Sequence, residues 1–191
     1  MAFHRRTTAL KRGFTLAEVL VTLAIIAVMA AVLLPALNSQ LQKGDTGRLA
    51  SDLTNIQTAA QAFVSDVHRY PANITQLTTA LSLTSSPNDL TSTPIPLTLT
   101  AKWKGPYLTK DVVGNTAGGA IVSTFSEVPV SAGSSINFLA VTVTGVSAGD
   151  FANIENILDE GTPTAGSTTA GSIRWSSAGS STLTFLALPI Q

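Results

Sequence analysis

Gly13-Phe14-Thr15-Leu16-Ala17-Glu18-Val19-Leu20 opens an apolar run that continues to Leu34, and Arg5, Arg6, Lys11 and Arg12 stand before it. The 21 residues from Phe14 to Leu34 are broken only by Thr15, Glu18 and Thr22. As a helix they reach about 30 Å, enough to cross the hydrocarbon core of a bilayer. Positive charge on the N-terminal side predicts that this end stays in the cytoplasm and that the bulk of the chain is translocated. The run is long for the h-region of an ordinary secretory signal, and no small-x-small site follows it cleanly before Pro35. It also carries an acid near its start. A carboxylate in hydrocarbon costs on the order of several kcal/mol unless something pairs with it, so a plain single-pass anchor leaves Glu18 unexplained.

The charge around this run is asymmetric. The net charge is zero, yet every Asp and Glu follows Phe14, and only seven of the eleven Lys and Arg do. Without the first 13 residues the chain is mildly acidic and keeps no basic patch, so no direct nucleic-acid partner is expected. There is no cysteine, which excludes a disulfide framework, a thiolate nucleophile and a Cys-ligated zinc site. The only histidines are His4 and His68, and no Gly-x-Ser-x-Gly elbow occurs. That inventory points away from an enzyme; no catalytic residue is assigned.

The segment Gly13-Phe14-Thr15-Leu16-Ala17-Glu18 resembles the class III signal of type IV pilins and the related pseudopilins. The resemblance implies cleavage between Gly13 and Phe14 by a prepilin peptidase, N-methylation of Phe14, and a role for Glu18 in subunit assembly. Glu18 would then pair with the terminal amine of a neighbouring subunit. Pro35 falls where many members of that family bend the helix, and its missing N–H favours a kink. The implied organisation is a cleaved leader at 1–13, a transmembrane and polymerisation helix at 14–35, an amphipathic half at 36–70 and a globular head at 71–191.

Gly44 and Gly47 weaken the helix after Pro35. From Leu49 the period tightens: Leu49, Leu53, Ile56, Ala60, Phe63 and Val67 form one stripe at steps of three and four. This face is expected to pack on the head, with Asp52, Asn55, Gln57 and Gln61 on the remaining faces. The helix should stop near Arg69-Tyr70-Pro71, because the residue before proline disfavours the α region. Asp66-Val67-His68-Arg69-Tyr70-Pro71 also resembles the end of the long helix in pseudopilins. His68 reads as an exposed or capping residue.

Residues 72–82 suggest a short helix with Asn73 or Thr75 near its start and Leu77, Ala80 and Leu81 as its apolar side. Ser85 to Pro96 reads as a loop. Trp103-Lys104-Gly105-Pro106-Tyr107-Leu108 with Asp111-Val112-Val113-Gly114-Asn115 is similar to the major pseudopilin of the type II secretion system, with shorter spacing between the halves. Trp103 and Tyr107 are anchors for a small core, and Gly114-Asn115 suits a turn. Ala120 to Phe125, Ser135 to Val143, Ser172 to Ser176 and Ser181 to Leu186 read as strands, Ala148 to Glu160 as a helix, and Thr162 to Gly171 as a linker.

These readings give an α+β, pilin-like fold in which a long N-terminal helix packs on a small antiparallel sheet. The implied role is a structural subunit precursor that assembles into a helical filament. A type II secretion pseudopilus is the first reading, a surface pilus for adhesion, motility or DNA uptake the second, and a non-polymerising anchored binding domain the third. Implied partners are copies of the chain itself, the prepilin peptidase, an inner-membrane platform with its assembly ATPase, and other minor pilins or pseudopilins. The expected location is the inner membrane with the head outside the cytoplasm, then a periplasmic or surface filament. No cofactor is expected. Some major pseudopilins bind calcium in a C-terminal loop, for which Asp159 and Glu160 are weak candidates here.

Overall fold

The computed structural model describes residues 13–108, 114–116, 119–159, 171–175 and 181–190. The chain divides into two compact units, Met1–Gln40 and Leu41–Gln191. Helix α1, Leu16–Val67, runs without a break through Pro35, Gly44 and Gly47. From Gly13 to Gly44 every side chain is exposed, although most are apolar. This is the only described helix with the length and composition to cross a membrane.

Burial begins at Thr46, whose hydroxyl turns back to the carbonyls of Gln42 and Lys43 at 3.1 Å each. All six stripe residues, Leu49, Leu53, Ile56, Ala60, Phe63 and Val67, are 0% exposed. Each fully buried Leu, Ile or Phe stabilises the fold by about 1.5–3 kcal/mol relative to exposure. The buried face is wider than the stripe. Ala50, Ala59 and Asp52 also lie inside, and Asp52 keeps Arg48 Nε at 3.9 Å. Placing Asp52 on an open face was therefore too simple. Gln57, half-buried, donates to the Ala187 carbonyl at 2.7 Å.

After α1 come two single-turn helices, α2 (Thr75–Thr78) and α3 (Leu97–Thr100). Helix α2 is shorter than the 72–82 expected, and Ala80 is exposed rather than part of its apolar side. The Gln76 side chain limits it: Oε1 accepts from the Ala72 amide at 2.8 Å and Nε2 donates to the Asn88 carbonyl at 2.8 Å. The Asn73 carboxamide accepts from the Gln76 amide at 3.1 Å, as its place near the helix start suggested. Within the 85–96 loop, the Asp89 carboxylate gathers the amides of Thr91 and Thr93 and the Thr91 hydroxyl at 2.9–3.0 Å.

The sheet contains β1 (Gly114–Thr116), β2 (Gly119–Ile121), β3 (Ser126–Pro129), β4 (Asn137–Thr144), β5 (Ile173–Trp175) and β6 (Thr182–Ile190). Its order is β1-β2-β4-β6-β5, with β3 also paired to β4, and every pairing is antiparallel. Helix α4, Ala148–Leu158, lies between β4 and β5 in sequence. Register places Val141 opposite Phe185, Val143 opposite both Leu183 and Ile121, and Ile173 opposite Phe185. These residues share one core with the α1 stripe, together with Phe151 and Ile154 of α4. The fold is α+β and pilin-like, with the second half of α1 packed on a small antiparallel sheet.

Three strand expectations needed correction. The run Ala120 to Phe125 is not one strand: β2 stops at Ile121 because the chain turns to bond the segment after α1. Ser123 accepts from the Ile74 amide, and the Phe125 amide donates to Ala72, both at 2.9 Å. Gly114 and Asn115 form strand β1 with β2 rather than a turn. Strand β6 runs on past Leu186 to Ile190, since Asn137, Phe138 and Leu139 continue the pairing beyond a register shift at Leu139/Ala140. The leader residues before Gly13, Asp111 to Val113, Glu160 and most of the 162–171 linker lie outside the described residues.

Candidate functional site

Helix α1 begins one residue after Thr15, and the chain from Gly13 to Thr15 is not helical. The Thr15 hydroxyl accepts from the Glu18 amide at 3.2 Å, and the Thr15 carbonyl accepts from the Val19 amide at 3.2 Å. Thr15 is thus the helix N-cap, satisfying one of the donors that a helix start leaves open. The pattern Thr-x-x-Glu is the sequence signature of a capping box, and reading it that way would have found Thr15.

Glu18 occupies the first turn, where the helix dipole favours an acid. Its carboxylate is exposed and makes no hydrogen bond or ion pair among the described residues. Phe14 lies four positions earlier in the sequence, before the helix begins, and is 84% exposed. Gly13, Phe14 and Glu18 thus stand at the same end of α1, Gly13 and Phe14 before it and Glu18 in its first turn. Pro35 stands apart, within the continuous helix.

The other end of α1 is fastened to the Trp103–Leu108 segment. Asp66 receives Lys104 Nζ at 3.0 Å and the Tyr107 hydroxyl at 2.9 Å. Lys104, then Tyr107, holds the Asp66 carboxyl below the ordinary carboxylate range, through donated hydrogen bonds. Burial, joined by the Asp66 charge, pushes the Tyr107 hydroxyl upward. Tyr107 also meets Phe63 edge-on at 5.8 Å between ring centroids and Trp103 at 5.5 Å. Trp103 Nε1 donates to the Gln76 carbonyl at 2.9 Å.

The peptide between Gly105 and Pro106 is cis, and a Cβ on Gly105 would collide with the Trp103 ring. The two aromatics act as the anchors their spacing predicted. His68 closes α1 with φ +56, its amide donating to the Val64 carbonyl at 2.9 Å. It is exposed and stands at the end of the helix.

Of the two calcium candidates only Asp159 lies among the described residues. The Asp159 carboxylate accepts from the amides of Ser172 (3.1 Å) and Ile173 (3.0 Å) and from the Ser172 hydroxyl. Calcium takes six to eight oxygens. Among the described residues no group of three Asp, Glu, His or Cys side chains stands close enough to hold a metal ion. Asp159 alone does not fit that donor set.

Comparison with known proteins bears on the helix end. A family model described as the prokaryotic N-terminal methylation motif matches residues 9–34. Type II secretion system core protein G from Escherichia coli (strain K12) is 36% identical over 66 residues, covering 35% of this chain and 46% of the relative. The protein of that name from Klebsiella pneumoniae is 36% identical over 61 residues (32% and 44%). That from Aeromonas hydrophila is 32% identical over 84 residues (44% and 54%). The chain thus spans about half the length of these curated relatives. No solved structure matches. The chain carries a prepilin-type N-terminal methylation motif ahead of a pilin-like α+β head, and between a third and a half of it is similar to type II secretion system core protein G.

Proposed function

We propose that this chain is the precursor of a structural filament subunit of the type II secretion pseudopilus kind. One observation carries the reading: the methylation motif at 9–34 overlaps the first half of α1, whose apolar side chains are all exposed. An uncovered apolar helix of this length needs a bilayer before assembly and other helices after it. A prepilin peptidase would cut between Gly13 and Phe14, and methylation would follow on Phe14. The new amine would lie four residues before Glu18, whose carboxylate has no partner among the described residues. In the filament, Glu18 would pair with the amine of a neighbouring copy, setting axial register while the apolar faces adhere. Pro35 would let the helix bend as copies pack.

The precursor is membrane-anchored, and we place its head outside the cytoplasm on the strength of the basic leader. Its partners would be further copies, other pseudopilins and the secretion machinery. The role is structural rather than enzymatic. The similarity to core protein G favours a short periplasmic fibre over a surface pilus.

The test is overexpression of the wild-type chain and of Glu18→Ala in a host carrying the type II secretion genes, with filaments counted by electron microscopy. Wild type is expected to give fibres and Glu18→Ala almost none, with leader removal intact in both. Normal fibre yield from Glu18→Ala would refute the pairing role. Long fibres on cells without the secretion genes would favour a surface pilus.

A further inference from the structure

Among the described residues, one carboxylate links the end of α4 to the start of β5. Asp159 ends α4, its own amide bonded back to the Glu155 carbonyl at 2.9 Å. Its Oδ1 accepts from the Ser172 amide at 3.1 Å and from the Ser172 hydroxyl, and its Oδ2 accepts from the Ile173 amide at 3.0 Å. Gly171 arrives with φ +83, and a Cβ there would strike the Asp159 carboxylate. The chain therefore bends closely around this anion, which then aims Ile173 into the core opposite Phe185. Trp175 follows, edge-on to Phe151 of α4 at 4.9 Å.

Three converging donors satisfy the charge of Asp159 as ionised acceptors usually are satisfied. They also present hydrogen atoms where a cation would need bare oxygen. The neighbouring acid does not complete a cage. Glu155, 6% exposed, leaves Oε2 without a hydrogen-bond partner among the described residues. Burial, and then the Asp159 charge, favours its protonated form.

We propose that Asp159 is itself the clamp that fastens β5 to α4, so that this junction closes without a divalent cation. The hydrogen-bonded carboxylate takes the place of the calcium that the resemblance to major pseudopilins suggested. This proposal stands apart from the filament role: a chain that never polymerises would still need the junction closed.

The experiment uses the full chain in detergent micelles. Thermal unfolding is followed with a chelator or with excess calcium chloride, for wild type, Asp159→Asn and Asp159→Ala. Hydrogen exchange is read at the amides of Ser172 and Ile173. Wild type is expected to unfold at one temperature in chelator and in calcium. Asp159→Ala should unfold lower and exchange those two amides at least about tenfold faster, with Asp159→Asn between the two. A calcium-dependent rise in the wild-type unfolding temperature would overturn the proposal. So would wild-type stability and exchange in Asp159→Ala. If Asp159→Ala fails to fold, the wild-type comparison between chelator and calcium still decides the cation question, and Asp159→Asn the clamp.

Discussion

The Tyr107 hydroxyl donates to the Asp66 carboxylate at 2.9 Å while accepting from the Lys104 amide at the same distance. This one hydroxyl ties the last turn of α1 to the loop after α3. The pair also sets a pH dependence. The Asp66 carboxyl is held below its ordinary value of 3.8. Its stabilisation is therefore fully present above about pH 4 and is lost as pH falls through the lower, folded-state value. Asp66→Asn should lower the unfolding temperature at neutral pH, and its difference from wild type should shrink below pH 3.8. A pH series of thermal melts checks this, and Tyr107→Phe should show the same trend more weakly.

Glu155 should behave in the opposite sense. Burial first, and the Asp159 charge second, raise its pKa above the ordinary 4.5. Its ionisation opposes folding, so the favourable, protonated contribution is present at low pH and disappears as pH rises through the folded value. Glu155→Gln keeps the shape and removes the charge. The variant should unfold at a higher temperature than wild type at pH 7, and the gap should close as the solution is acidified. A variant that is less stable at every pH would contradict the reading.

His68 holds φ +56, a conformation that costs a residue with a Cβ about 1–2 kcal/mol and glycine little. His68→Gly is expected to gain up to about 1 kcal/mol in denaturant unfolding, because glycine also releases more chain entropy when unfolded. His68→Val should lose at least as much.

Thr15 is expected to matter through its hydroxyl. Thr15→Val removes the cap at constant volume, which costs a helix about 1 kcal/mol locally. The Glu18 and Val19 amides should then exchange faster with solvent in micelles, whereas Thr15→Ser should restore protection. Equal protection in Thr15→Val and wild type would remove Thr15 from the site.

The sequence showed those parts of the fold that depend on a period or on a residue's unique chemistry. The six-residue stripe was readable because each member meets the core at a helical step. The helix end was readable because Pro71 and a capping residue announce it. The Phe14–Glu18 end is legible as one motif, and the cap at Thr15 is legible only when Thr-x-x-Glu is read as a unit. What was not legible depends on partners distant in the chain. Strand β2 ends early because residues 72–74 compete for its continuation. Asp52 goes inside although its neighbours suggest a polar face, and β6 outlasts its alternation because β4 offers it pairing up to Asn137. In the sequence Asp159 reads only as a calcium candidate, and the fold alone brings Ser172 and Ile173 to it.

The central claim is that Phe14 becomes the terminus of a processed subunit whose amine faces Glu18. Mass spectrometry of the protein purified from cells with a prepilin peptidase tests it most directly. The account predicts a mature chain that begins at Phe14 and carries an N-methyl group. A chain that retains residues 1–13, or one cut within the apolar run near Ala27 to Ala31, would contradict it.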